Sequence, residues 1–418
     1  MSKIIPFQAI RPSQGLAQQI AALPYDVVSS EEARIIAENN PLSFLHIDKA
    51  EIDLEPSISP YDDAVYVKAK ENLDRLRKNG HLVQDERPCL YIYSLTMNSR
   101  TQNGLVACAS VDEYVNGGIK KHELTLEKKE QDRIRHVDTC NAHTGPIFLT
   151  YRPMDSIAQI IEQWKSEHSP VFDYMEEDGI GHAGWVIDDP EIQTILSTVF
   201  AEVPALYIAD GHHRAASAVK VGLLRRTAEQ APDPDASYNF FLSVLFPSNE
   251  LKILDYNRVV RDLNGHTKED FLLALAQDFI VEPLNPGAAI NPQAPKQYGM
   301  YLDGQWYRLA YRGTAAPASS VDNLDVSVLG NTVLTPILGI GDIRTDTRIH
   351  FVGGIRGTGE LEKMVDSGEY AVAFALHPTS IDEVMEIADQ GLIMPPKSTW
   401  FEPKLRSGLF IHSLEANE

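Results

Sequence analysis

The chain has 418 residues, with 59 acidic and 37 basic side chains and a formal net charge of −22. That sign disfavours nucleic acid or an anionic membrane as the main partner, because phosphate contacts need clustered Lys and Arg. Charged residues at 23% and hydrophobic residues at 43% fit an ordinary globular chain, long enough for two or three domains at ~150 residues each.

Cys89, Cys108 and Cys140 have no metal-ligand spacing and suggest no disulfide framework. No run approaches the ~18 apolar residues of a membrane span, and no secretory signature opens the chain. A cytoplasmic location is expected.

In chain order, an extended run Ile4–Ile10 comes first, and Pro24-Tyr25-Asp26 forms a loop. Ser29 or Ser30 caps a helix over Glu31–Asn39. A second helix covers Tyr61–Lys78, with Val65, Ala69, Leu73 and Leu76 on one face. Strands Cys89–Met97 and Leu105–Tyr114 flank a polar hairpin loop, Asn98–Gly104. Residues 119–145 are densely charged. Pro146–Tyr151 is a strand, Ser156–Glu167 a helix, Trp185–Ile187 a strand and Pro190–Phe200 a helix.

Ala205–Ala209 reads as a buried strand running into Asp210-Gly211-His212-His213-Arg214 and then a helix over Ala215–Glu229. Tyr238–Phe246 is another strand. Beyond residue 265 come a helix at Lys268–Gln277, a Pro-rich linker over Pro283–Pro295, and strands Tyr298–Leu302 and Gln305–Tyr311 around Asp303-Gly304. That dipeptide signals a type I′ hairpin turn. A helical stretch Leu324–Leu329, a strand Tyr370–Leu376, a helix Ile381–Gln390 and a Pro-rich segment Met394–Pro403 complete the chain. Strands and helices mix without strict alternation, which predicts an α+β fold with mixed sheets. The expected division is 1–265 and 266–418, with a lesser boundary near 150.

The strand–DGHHR–helix junction is where chemistry gathers. Gly211 permits a positive φ and close approach of a ligand. Free amides at the helix start favour an anion, and Arg214 adds a fork suited to phosphate or carboxylate. His212 and His213 offer donors or a proton shuttle. Asp210 can orient a histidine, cap the turn or hold Mg²⁺.

Asp210–Ala216 resembles the phosphate-binding box of the ParB/sulfiredoxin-like superfamily, including its free-serine kinases. The whole chain resembles the family called domain of unknown function 1015. The shared pattern is Pro24-Tyr25-Asp26-Val27-Val28, Lys121-His122-Glu123-Leu124-Thr125, Lys129-Glu130 with Asp132-Arg133, and Thr144-Gly145-Pro146-Ile147-Phe148. It continues through the box to Met394–Lys404.

The resemblance implies a phosphate-binding core with an additional α+β lobe. Sulfiredoxins use a Cys where this chain has His212, and ParB proteins need a basic DNA-binding surface, so neither activity is favoured. The free-serine kinases have the nearest box and imply phosphoryl transfer from ATP or ADP, with Mg²⁺, to serine or a related hydroxy acid. They carry a catalytic glutamate before the box, which points to Glu123 as base, with His213 and Asp210 as catalytic partners. Gly211, His212, Arg214, Lys121, Arg133 and His136 would hold the nucleotide, and Asp210 the metal. A non-catalytic nucleotide- or phosphometabolite-binding regulator and a phosphatase or hydrolase are the alternatives. Oligomeric state has no signature in the sequence.

Overall fold

The computed structural model describes residues 2–285, 287, 290–313 and 318–415. Part of the expected linker at 283–295, namely 286, 288 and 289, lies outside the described residues. Chain packing separates two compact units. The first holds 1–121, 125–251 and 403–418, and the second 122–124 and 252–402. The expected cut near 265 falls inside the second unit, and the one near 150 inside the first.

The first unit is built on a nine-stranded mixed sheet. Its path runs Ile119–Lys120, Leu206–Asp210, Ile147–Tyr151, Phe240–Pro247, Arg100–Ser110, Leu90–Met97, Gly181–Ile187, Phe172–Met175, with Ile4–Ile5 paired to Arg100–Ser110. Strand Leu206–Asp210 lies parallel to Ile119–Lys120 and antiparallel to Ile147–Tyr151. Phe240–Pro247 is buried along its whole length, as its unbroken apolar run requires. Helices Asp155–Glu167 and Pro190–Phe200 add Ile157, Ile161, Leu196 and Phe200 to the apolar cluster that Ile92, Leu149 and Phe241 form from the sheet.

The polar run after Met97 is not a loop. The reversal is made by Asn98 and Ser99 alone, both at positive φ, and Arg100–Ser110 pairs with Leu90–Met97 from Met97↔Arg100 onward. A polar cross-strand pair, Thr96 and Thr101 hydroxyls 2.8 Å apart, replaces the expected turn chemistry. The helix Ser30–Ala37 starts on a capping box from Ser29 and Glu32.

A four-stranded sheet, Leu82–Gln84, Ala9–Pro12, Ile411–Ser413, Ala142–His143, belongs to the same unit. It joins four distant stretches of chain. Its apolar cluster takes Ile10 and Ile411 from the sheet, with Phe44, Ile47, Val65, Leu73 and Cys140 from the helices.

The second unit has a six-stranded antiparallel sheet ordered Phe279–Pro283, Gln305–Tyr311, Gln297–Leu302, Val372–Leu376, Tyr256–Val260, Ile349–Gly353. Asp303 and Gly304 reverse the hairpin at positive φ, as Asp-Gly predicts. A two-stranded sheet pairs Lys252–Leu254 with Trp400–Glu402. This fastens the end of the Pro-rich segment, with Trp400 edge-on to Tyr256 at 5.0 Å. Among the described residues, no helix is long and apolar enough to cross a membrane.

Candidate functional site

The DGHHR box turns more tightly than the sequence suggests. The register shifts between Ile208 and Asp210 at the end of strand Leu206–Asp210, and Gly211 at φ +91° makes the turn. The helix then begins at His212, not at Ala215, and spans His212–Ala228. A left-handed glycine completes the reversal in one residue, so His212, His213 and Arg214 form the first helical turn. The start of a helix directs backbone N–H groups outward and favours an anion there.

Asp210 sits between cations. Its Oδ2 lies 3.4 Å from Arg214 Nη2 and 3.5 Å from Lys404 Nζ. Burial raises its pKa, but Lys404, Arg214 and His212 and the Gly211 N–H outweigh that and hold it at about 2. Arg214 donates from Nη1 to the Pro146 carbonyl at 2.6 Å. Burial works against its charge, yet Asp26, Asp210, Tyr25 and Asp48 raise its pKa.

Arg214 helps to line a cavity of about 30 Å³ with Tyr25, Asp48, Arg133, His136, His143 and Thr144. Helix Glu127–Cys140 presents Arg133 and His136 from one face, three residues apart. Arg133 pairs with Asp132 at 2.8 Å and stacks on the Tyr25 ring at 4.1 Å. Burial opposes its charge, and Asp132, Tyr25 and Asp48 more than restore it. The opposite balance holds at His136. Burial and Arg133 lower its pKa, leaving a neutral ring whose Nε2 is 3.1 Å from the Ile47 carbonyl. Asp48, buried at the end of helix Leu45–Asp48, accepts from Thr144 Oγ1 at 2.8 Å.

Gly145 keeps the neighbouring wall thin. A Cβ there would meet Ser407 Oγ at 2.9 Å. Glycine thus lets residues 403–410 lie close, and these carry Lys404 to Asp210.

Arg214, Arg133 and His136, singled out from sequence, therefore meet at one cavity. His213 is placed differently: its Nε2 accepts the N–H of Leu126, the residue that caps helix Glu127–Cys140. It fastens the helix that carries Arg133. His212 is buried in the same first turn. Lys121 is exposed and lays its ammonium 4.5 Å over Tyr114, outside the cavity lining. Glu123 belongs to 122–124, which group with the second unit, where Met394 N–H donates to the His122 carbonyl at 2.8 Å.

Asp48, Tyr25, Thr144, His143 and Lys404 were not assigned to the site from sequence. Tyr25, Thr144 and Lys404 stand inside the shared motifs and could have been found there. Asp48 and His143 had no such signal.

The family model described as "Protein of unknown function (DUF1015)" matches residues 4–327. This chain belongs to that family. No curated protein matches it. Three solved structures are similar to this member at low similarity. A free serine kinase in complex with AMP is 13% identical, with a TM-score of 0.37, over 73% of this chain and 91% of that one. A conserved hypothetical protein from Pyrococcus furiosus is 13% identical, with a TM-score of 0.36, over 73% and 94%. A C-terminally truncated SbnI from Staphylococcus aureus is 12% identical, with a TM-score of 0.38, over 75% and 90%.

Proposed function

We propose that this protein is a nucleotide-dependent kinase that phosphorylates a small hydroxy metabolite, serine or a related hydroxy acid. One observation carries the reading: two charged guanidiniums, the buried Arg133 and the largely covered Arg214, converge with the carboxylate of Asp48 on one cavity beside the DGHHR turn. Phosphoryl transfer needs positioning and charge stabilisation more than covalent chemistry. Arg214 and the amides after Gly211 would hold phosphate oxygens, and the resemblance of the box to that of the free-serine kinases supports this assignment. The donor is ATP or ADP.

Transfer forms a bond from the acceptor oxygen to the terminal phosphorus and breaks the bond to the nucleotide's leaving oxygen. The hydroxyl proton passes to a carboxylate. Glu123 is our candidate base from the family pattern, and Asp48 is the carboxylate that lines the cavity. Mg²⁺ travels with nucleotide phosphates and commonly takes one or two protein carboxylates. Asp210 would be that ligand, sharing its charge with Lys404 and Arg214.

A non-catalytic nucleotide-binding regulator is the second reading, favoured by one fact. His213 and Asp210, assigned to chemistry, are engaged by a helix amide and by two cations. Phosphorus NMR of the protein with ATP or ADP, Mg²⁺ and a panel of hydroxy acids including serine separates the readings. A phosphorylated acceptor establishes the kinase. Nucleotide binding without product supports the regulator, and release of inorganic phosphate alone supports a hydrolase.

A further inference from the structure

His143 forms a two-residue strand, Ala142–His143, paired to His412 in register. It is 5% exposed and lines the cavity beside Arg214. Neither of its ring nitrogens has a hydrogen-bond partner among the described residues. Other buried histidines of this unit do have one. His136 Nε2 is 3.1 Å from the Ile47 carbonyl, His412 Nε2 is 3.0 Å from the Ser237 carbonyl, and His182 Nδ1 is 2.7 Å from the Tyr93 hydroxyl. The ring of His412, whose centroid lies 5.5 Å from that of His143, thus has its Nε2 already committed.

Burial, His412 and Arg225 together push the His143 pKa well below the usual imidazole range. A neutral imidazole offers one N–H donor and one lone-pair acceptor. Its complement both donates and accepts, which describes a hydroxyl. A phosphate or carboxylate only accepts, and an ammonium only donates. At about 30 Å³ the cavity has room for a small polar group. The two guanidiniums on the same lining suit an anionic group attached to it.

We propose that His143 is a specificity-determining residue that hydrogen-bonds the hydroxyl of a small hydroxylated carboxylic acid, amino acids included, whose carboxylate faces Arg133 and Arg214. The proposal rests on the reading of this cavity as part of the ligand site, but not on turnover.

The test is a binding measurement on the full chain with L-serine and L-alanine, which differ by one hydroxyl. With ¹⁵N-labelled histidine, serine should shift both His143 ring signals and alanine should not. Calorimetry should show serine binding more tightly than alanine. His143→Phe should reduce serine affinity roughly fivefold or more and leave alanine unaffected. His143→Gln, which keeps a donor and an acceptor, should restore part of the difference. Equal binding of the two amino acids, no binding of either, or unchanged His143 signals at saturating serine would overturn the proposal. So would discrimination that survives in His143→Phe. The unmutated protein alone decides the spectroscopic arm if the Phe variant fails to fold. Serine binding without phosphorylated product would refute the kinase and leave this inference standing.

Discussion

Arg214→Met isolates the guanidinium, because methionine keeps much of the apolar stem. Arg214 is 10% exposed on its side chain, donates to Pro146 at 2.6 Å and reaches Asp210 at 3.4 Å. Two costs follow from its loss. The Pro146 carbonyl loses a charged donor, and Asp210 keeps Lys404 as its remaining cation partner, so stability should drop by roughly 1.5–3 kcal/mol. A bound phosphate would lose a charge-assisted hydrogen bond of similar worth, roughly a 10- to 150-fold rise in Kd. The assay is calorimetric titration with ADP and with ATP, after circular dichroism has shown the variant folded. Lys404→Met is the comparator, since it also removes a cation beside Asp210 but lies outside the cavity lining. If folded Arg214→Met binds both nucleotides as tightly as the unmodified protein, the assignment of the box to phosphate is refuted.

Lys404→Met should raise the pKa of Asp210 from about 2 toward its ordinary value of 3.8. A carboxyl whose folded pKa is depressed stabilises the fold above its unfolded pKa and loses that contribution as pH falls through the folded value. The variant should therefore lose up to about 2 kcal/mol near neutral pH, and the difference should shrink between pH 4 and pH 2, as read by urea unfolding. Gly211→Ala forces a Cβ into a φ of +91° and to 3.0 Å from Arg214 Nε. It should cost about 1–2 kcal/mol and weaken nucleotide binding together, and a variant with full affinity would show that the turn does not position Arg214. His213→Ala removes the acceptor for Leu126 N–H, a loss of about 0.5–2 kcal/mol. Hydrogen exchange should speed at amides 126–130, and unchanged protection there would refute the capping role. Glu123→Gln and Asp48→Asn, compared in the phosphorus NMR assay, should each retain nucleotide binding, and the one that abolishes product identifies the base.

Much of the architecture is legible in the chain because it is local. The apolar run Phe240–Pro247, the Asp303-Gly304 turn and the capped helix Pro190–Phe200 all carry their cause within a few residues. The hairpin after Met97 was less legible. Its Asn-Gly lies at 103–104, yet the turn is made at Asn98 and Ser99, because pairing across two long strands overrides the local turn preference.

The strand–glycine–helix order of the box was legible locally too, though the helix starts at His212 and not at Ala215. What surrounds it was decided by tertiary structure. Lys404 reaches Asp210 from the end of the chain, and Asp48 meets Thr144 through a short helix with no pattern of its own. His143 looks in sequence like any histidine before a Thr-Gly turn. Its character comes from burial beside His412 in the cavity lining, which removes water from both ring nitrogens and keeps the ring neutral. Residue type sets which charges and hydrogen bonds are available. Which of them face one another, and how strongly, depends on segments far apart in the chain that fold to within a few ångströms and exclude solvent.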